Sequence, residues 1–215
     1  MGFRREEAYQ KIQAAILSGD LRPGEKLVEK ELCAEFQLGR TPLREAFNQL
    51  AAEGYLDIVP NKGALVRKVP IQDAGHIYDI LALLEGYGVE TATRLIKPEH
   101  ENELRAIQSG CKKAARARDL AAWLENNSLF HGYFPKLTGN VCLCGEIEAL
   151  RRKLYQYRFI TLSLPMYLEK HLGAHEMILT AISKKDAKRA GNVMRRHLMH
   201  VRGMLVDAFK QYAWP

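Results

Sequence analysis

The sequence predicts a mostly α-helical protein in two parts, an N-terminal winged helix-turn-helix over residues 1–70 and a C-terminal all-α bundle of six to seven helices over residues 71–215. Three observations predict it. Two short helical patterns are separated by Leu38-Gly39, and the second opens on Thr41-Pro42 between Arg40 and Arg44. Two β-prone runs joined by Pro60-Asn61-Lys62-Gly63 follow. Beyond Pro70, apolar residues recur at helical spacing with no comparable strand pattern.

At 215 residues the chain exceeds one average domain, and its 47% hydrophobic content is enough for a buried core. No apolar run is long enough for a membrane span, so no membrane partner is expected. The start, Met1-Gly2-Phe3-Arg4-Arg5-Glu6-Glu7, enters polar helical sequence without a signal-peptide core, which predicts a cytoplasmic protein. Cys33, Cys111, Cys142 and Cys144 are then expected to be reduced. The net charge of +7 invites a nucleic-acid reading, yet residues 1–70 hold 11 Lys/Arg against 10 Asp/Glu. Net charge therefore carries little of that reading; the placement of particular arginines carries it.

Residues 4–18 form the first helix, with Tyr9, Ile12, Ala15 and Ile16 as its apolar stripe and Ser18-Gly19-Asp20 as its stop. Leu21-Arg22-Pro23-Gly24-Glu25-Lys26-Leu27 is a connector that turns at Pro-Gly and keeps both leucines buried. A second helix over about 28–37 turns Leu32, Cys33 and Phe36 inward and ends where Gly39 permits a left-handed turn. In the third, Thr41 is placed to cap the helix and Pro42 to occupy its first position. Leu43, Phe47 and Leu50 face inward while Arg40, Arg44 and Asn48 face outward, an arrangement suited to the DNA major groove. A capped surface helix with solvated arginines has the same local pattern. Tyr55–Val59 and Ala64–Arg67 read as a hairpin, with Lys62 and Gly63 at a tip where backbone approaches phosphate.

The ordered run Ile16-Leu17-Ser18-Gly19-Asp20-Leu21-Arg22-Pro23-Gly24-Glu25-Lys26-Leu27, then Glu31-Leu32, Arg40-Thr41-Pro42-Leu43-Arg44-Glu45-Ala46, Glu53-Gly54-Tyr55-Leu56 and Gly63, resembles the winged helix-turn-helix of GntR-family bacterial transcription regulators. The resemblance covers about residues 5–68 and implies that Arg40, Thr41 and Arg44 contact DNA, joined by Lys30 from the second helix and by Gly63 in the wing. Gly39 departs from it: relatives commonly carry serine there, so one hydroxyl that would reach phosphate is missing.

Lys68-Val69-Pro70-Ile71-Gln72-Asp73 is the predicted linker, with Asp73 as a cap. Helices are expected over about 73–95, 98–117, 119–137, 140–162, 165–183 and 186–212. Asn127 and His131 lie four apart on one helix face. The Lys185-Asp186 turn lies midway between His175 and His197, so a helical hairpin brings them to one height, facing inward with Leu179, Ile182, Val193 and Val201. His171 and His200 share that midpoint. Spacing alone thus leaves three readings open: hydrogen-bonded core histidines, direct binders of an anionic molecule, or metal ligands.

Asn127-Ser128-Leu129-Phe130-His131, His175-Glu176-Met177-Ile178-Leu179 and Met194-Arg195-Arg196-His197-Leu198 are similar to the FCD effector-binding domain of the FadR-type branch of GntR regulators, over roughly residues 73–210. The resemblance implies a divalent metal, zinc or nickel, held by Asn127, His131, His175 and His197, with Asn127 where metal-binding relatives carry aspartate. Leu81 stands where many members carry an arginine suited to a carboxylate; Arg94 and Arg158 are candidate substitutes for an organic-acid effector, and surface charge is the plainer reading of both. Cys142-Leu143-Cys144 reads as buried helical thiols rather than a metal pair.

The predicted function is a DNA-binding transcription regulator, a homodimer on a palindromic operator, whose helical domain binds a small-molecule effector and modulates operator affinity. The alternative is a helical metal-dependent hydrolase using the same histidines. No His-Asp dipeptide, G-x-S-x-G, Walker A loop or G-x-G-x-x-G occurs, so no catalytic residues are assigned.

Overall fold

The structure is a computed structural model that describes residues 2–60, 63–155, 157 and 165–212, with the side chains of residues 2, 3, 165, 166 and 209–212 excepted. It divides into two compact units, residues 1–70 with 151–156, and residues 71–150 with 157–215. It is a winged helix-turn-helix followed by a helical bundle. Among the described residues no helix is long and apolar enough to cross a membrane.

In the first unit the order is α1 (Gly2–Ser18), β1 (Lys26–Leu27), α2 (Glu29–Glu35), α3 (Arg40–Ala52), β2 (Leu56–Val59) and β3 (Gly63–Val66). Ile12 and Ile16 of α1, Leu32 of α2 and Leu43, Phe47 and Leu50 of α3 meet in one core, closed below by Leu27, Leu56 and Val66 of the sheet. The three strands lie antiparallel in the order β1-β3-β2, with Leu56 opposite Val66 and Leu27 opposite Ala64. The connector thus does more than keep Leu21 and Leu27 buried: its end is the third strand. Tyr155 is also part of this core, its ring 5.5 Å from that of Tyr55 and its hydroxyl donating to the Arg67 carbonyl.

Two local expectations are corrected. The left-handed residue between α2 and α3 is Gln37, with φ 54°, whereas Gly39 is extended at φ −77° and ψ 158°. Gly39 is itself the N-cap of α3, and no side chain caps it, so Thr41 and Pro42 lie inside the first turn. Proline is accommodated there because the first turn's N–H groups have no helical partner anyway. The tip glycine has a structural duty: Gly63 has φ +96°, and a Cβ on it would run into the Leu27 carbonyl oxygen. Gly63→Ala is expected to destabilise the unit by about 1–3 kcal/mol, read as a lower denaturation midpoint.

The second unit holds α4 (Ile71–Thr93), α5 (Pro98–Ala117), α6 (Leu120–Leu137), α7 (Val141–Lys153, of which Arg151 onward falls to the first unit), α8 (Pro165–Ser183) and α9 (Ala187–Tyr212). Asp73 is not a cap but an acidic residue of the first turn of α4, where it still favours the helix dipole. Asp119 does cap α6, accepting from the Ala122 N–H at 2.9 Å. The helix expected over 140–162 is interrupted: α7 ends at Lys153, Leu154 is a turn, and Tyr155 and Tyr157 are again helical, while residues 158–164 lie outside the described residues. Leu143 and Ile147 are its buried positions, while Cys142 is exposed and Cys144 half-buried, against the expectation of buried thiols.

The α8–α9 hairpin turns at Lys185, left-handed at φ 56°, and Asp186 caps α9 by accepting from the Arg189 N–H at 2.9 Å. Helix α9 packs along α4. A Cβ at Gly191 would stand 2.6 Å from the Gly86 carbonyl oxygen and 2.9 Å from Glu90 Cβ, so the two helices approach to backbone contact. Glu85, next to Gly86 on α4, is buried in the bundle.

Candidate functional site

The outer face of the first unit is a cleft of about 710 Å³ bounded by α2, α3 and the wing and lined by Lys26, Lys30, Arg40, Arg44, Asn48 and Gly63. Arg40, Thr41 and Arg44 are exposed on α3, as is Lys30 on α2. The uncapped start of α3 adds free N–H groups and the positive end of a helix dipole, both favourable to phosphate. Lys62 lies outside the described residues. The sequence reading missed Glu29, whose carboxylate accepts from Arg44 Nε at 2.8 and 2.9 Å. Held at Nε, Arg44 keeps its two terminal amino groups for bidentate donation, the geometry that reads guanine in the major groove.

In the second unit the bundle gathers His131 from α6, His175 from α8 and His197 from α9, all buried, with ligand nitrogens within 4.8 Å of one another. His171 is also buried but one turn away on α8, and His200 is exposed. The hydrogen-bond partners settle the tautomers. Glu85 Oε2 lies 2.7 Å from His131 Nδ1, and a carboxylate only accepts, so the proton sits on that nitrogen. Gln108 donates from Nε2 to the Leu172 carbonyl and to Glu176, which leaves its Oε1 to accept from His175 Nδ1 at 3.1 Å. The two remaining nitrogens, His131 Nε2 and His175 Nε2, face each other 3.3 Å apart.

Two imidazole nitrogens at that distance need a proton or a cation between them. Two imidazoles on one tetrahedral zinc, with bonds of about 2.0–2.1 Å, hold their nitrogens about 3.3–3.4 Å apart. The donor set fits such an ion, and the Glu85 and Gln108 contacts are those that commonly orient metal-bound histidines. Phe130 stacks on the His175 ring with centroids 3.9 Å apart and limits its rotation. Asn127 lies one turn before His131, 7% exposed, and among the described residues its Oδ1 has no hydrogen-bond partner. Burial pushes His171 down to about 3, with the neighbouring imidazoles of His131 and His200 acting in the same direction.

Arg94 is not gathered with the histidines: just beyond α4, with a side chain 58% exposed, it pairs with Glu90 at 2.7 Å. Arg158 lies outside the described residues.

A winged helix-turn-helix with an arginine-edged third helix, followed by a helical domain, is the plan of a DNA-binding transcription regulator. This chain is one, and it belongs to the GntR family of bacterial regulatory proteins. Residues 4–66 match the bacterial regulatory proteins, gntR family, and residues 76–200 match the FCD domain. It is 30% identical over 204 residues to the HTH-type transcriptional repressor GlaR of Escherichia coli strain K12, covering 90% of this chain and 91% of that one. It is 24% identical over 196 residues to the HTH-type transcriptional repressor RspR of the same strain, covering 91% and 86%. The solved structure of E. coli McbR/YncC shares the fold, with TM-score 0.78, 22% identity and coverage of 97% and 98%.

Proposed function

We propose that this regulator senses a small-molecule effector at a divalent metal held by His131, His175 and His197, with the Asn127 carbonyl oxygen as a fourth donor. The observation that carries this reading is the convergence of His131, His175 and His197, with the first two Nε2 atoms 3.3 Å apart and each ring oriented by a partner on its Nδ1. Zinc or nickel suits imidazole donors, and asparagine in place of a carboxylate lowers the charge of the site and weakens its hold on the ion. Bound there, a metal supplies open coordination positions to donor atoms of an effector, an organic acid being one class. A hydrolase reading is less well supported: among the described residues the carboxylate hydrogen-bonded to the cluster is Glu85, and it is committed to His131.

On the DNA side, Arg40, Thr41, Arg44 and Lys30, with Lys62 and Gly63 of the wing, read an operator half-site. One such module reads few bases, so two copies on a palindrome are the natural arrangement. The exposed apolar row Ile80, Leu83 and Tyr87 on α4 supports a homodimer, since a second copy would cover it. The effector acts by favouring one of the dimer's arrangements through differential affinity.

The test is elemental analysis of gently purified wild type beside Asn127→Asp. Near-stoichiometric metal in the wild type is expected. Metal in Asn127→Asp alone would mean that the natural chain recognises its effector by hydrogen bonds and shape without an ion.

A further inference from the structure

On α6, Trp123, Asn127 and His131 follow one another at four-residue steps, and on α8 so do His171 and His175. His131 and His175 belong to the histidine centre. At the outer end of these rows the Trp123 and His171 rings meet edge to face, with centroids 6.2 Å apart, and the His171 ring lies 5.0 Å from that of His197. Trp123 is 1% exposed and His171 4%. Among the described residues, neither Trp123 Nε1 nor either ring nitrogen of His171 has a hydrogen-bond partner. Buried polar atoms are paired almost everywhere in folded proteins, because losing water without replacing its hydrogen bonds is costly. Two touching residues with three unpaired atoms, beside a candidate sensing centre, mark a place completed by something outside the chain.

The chemistry of those atoms restricts what completes it. The indole N–H only donates, while the neutral imidazole donates from one nitrogen and accepts at the other. A bare carboxylate offers acceptors alone and would leave an unprotonated ring nitrogen unpaired. An alkyl chain would satisfy none of the three, whereas a hydroxyl both accepts and donates.

We propose that Trp123 and His171 form a hydroxyl-recognising subsite next to the histidine centre, which selects a small hydroxylated effector over its deoxygenated counterpart. The proposal rests on the sensing role of that centre, but not on the identity of any metal there.

The test uses the full-length wild type, His171→Phe and Trp123→Phe. His171→Phe keeps a ring of similar size while removing both nitrogens. Metal content is measured first in each preparation, and glycerate and propionate are then titrated calorimetrically. These two probes share a carboxylate and a chain length and differ only in hydroxyls. The wild type is expected to bind glycerate at least about tenfold more tightly than propionate, and His171→Phe to lose that preference with its metal content unchanged. Should His171→Phe fail to fold, Trp123→Phe, which deletes one N–H, is read the same way. Equal affinities in the wild type, binding of neither probe, or a preference retained in the folded variants would overturn the subsite and leave the layer to water. A wild type without metal would instead count against the metal centre, and the same pair of probes on that protein would still decide the subsite.

Discussion

If the proposed metal centre is right, His175→Ala is expected to drop the metal content from about one ion per chain to near zero, because it removes the imidazole facing His131 Nε2 across 3.3 Å. The ring is fully buried and stacked on Phe130, so the substitution also leaves a cavity, at a cost of about 2–5 kcal/mol by analogy with other large-to-small core changes. Metal should therefore be measured well below the lowered unfolding midpoint, with helix content by circular dichroism as the control for folding. A folded His175→Ala that retains its metal would remove His175 from the ligand set. His171→Ala separates the two histidine layers: it is expected to keep the ion, since His171 is not among the three residues whose nitrogens converge.

Arg44→Ala should weaken specific operator binding by about 1–3 kcal/mol, or roughly 5- to 150-fold, if its guanidinium reads a base edge. Binding to unrelated DNA should fall much less. Glu29→Ala provides the informative comparison. It removes an acidic group from the DNA-facing cleft and so raises non-specific affinity, but it also frees Arg44 from the carboxylate held against its Nε, so discrimination between operator and unrelated DNA should shrink. Fluorescence anisotropy on both DNAs, at matched salt, reads both effects. An unchanged operator affinity in Arg44→Ala would contradict the assignment of α3 as the reading helix.

Much of this was legible because it is local. The stripe Tyr9, Ile12 and Ile16, the α3 stripe Leu43, Phe47 and Leu50, and the turn at Lys185-Asp186 each follow from residues within a few turns of one another, and each lies where periodicity and turn chemistry put it. The errors were local as well, but turned on backbone detail. Thr41 has the composition of a cap, yet Gly39 holds that position with an extended backbone; the left-handed turn falls on Gln37 because the chain reverses before the glycine. Composition ranks candidates for a cap, while the dihedral angles of the fold choose among them.

The histidine centre shows the other limit. Hairpin symmetry paired His175 with His197 and, equally well, His171 with His200, since both pairs share a midpoint. Packing separates them: His200 is exposed and His171 lies one turn from the point where His131, His175 and His197 meet. Glu85 and Gln108 were not singled out, although Glu85 did carry a signal, a carboxylate on the same helix face as Leu81 and Ala82.

From residue order alone follow the family, the two kinds of fold, the helix that bears Arg40 and Arg44, and the small set of histidines worth considering, because period, turn residues and motif spacing are properties of a chain read along its length. Which nitrogens face one another, which tautomer each imidazole holds, that Glu29 grips Arg44, and that Trp123 and His171 are left without partners depend on residues far apart in sequence meeting in space. Within the bundle, close contacts such as Gly86 against Gly191 join helices that lie about a hundred residues apart in the chain, and no local pattern encodes them.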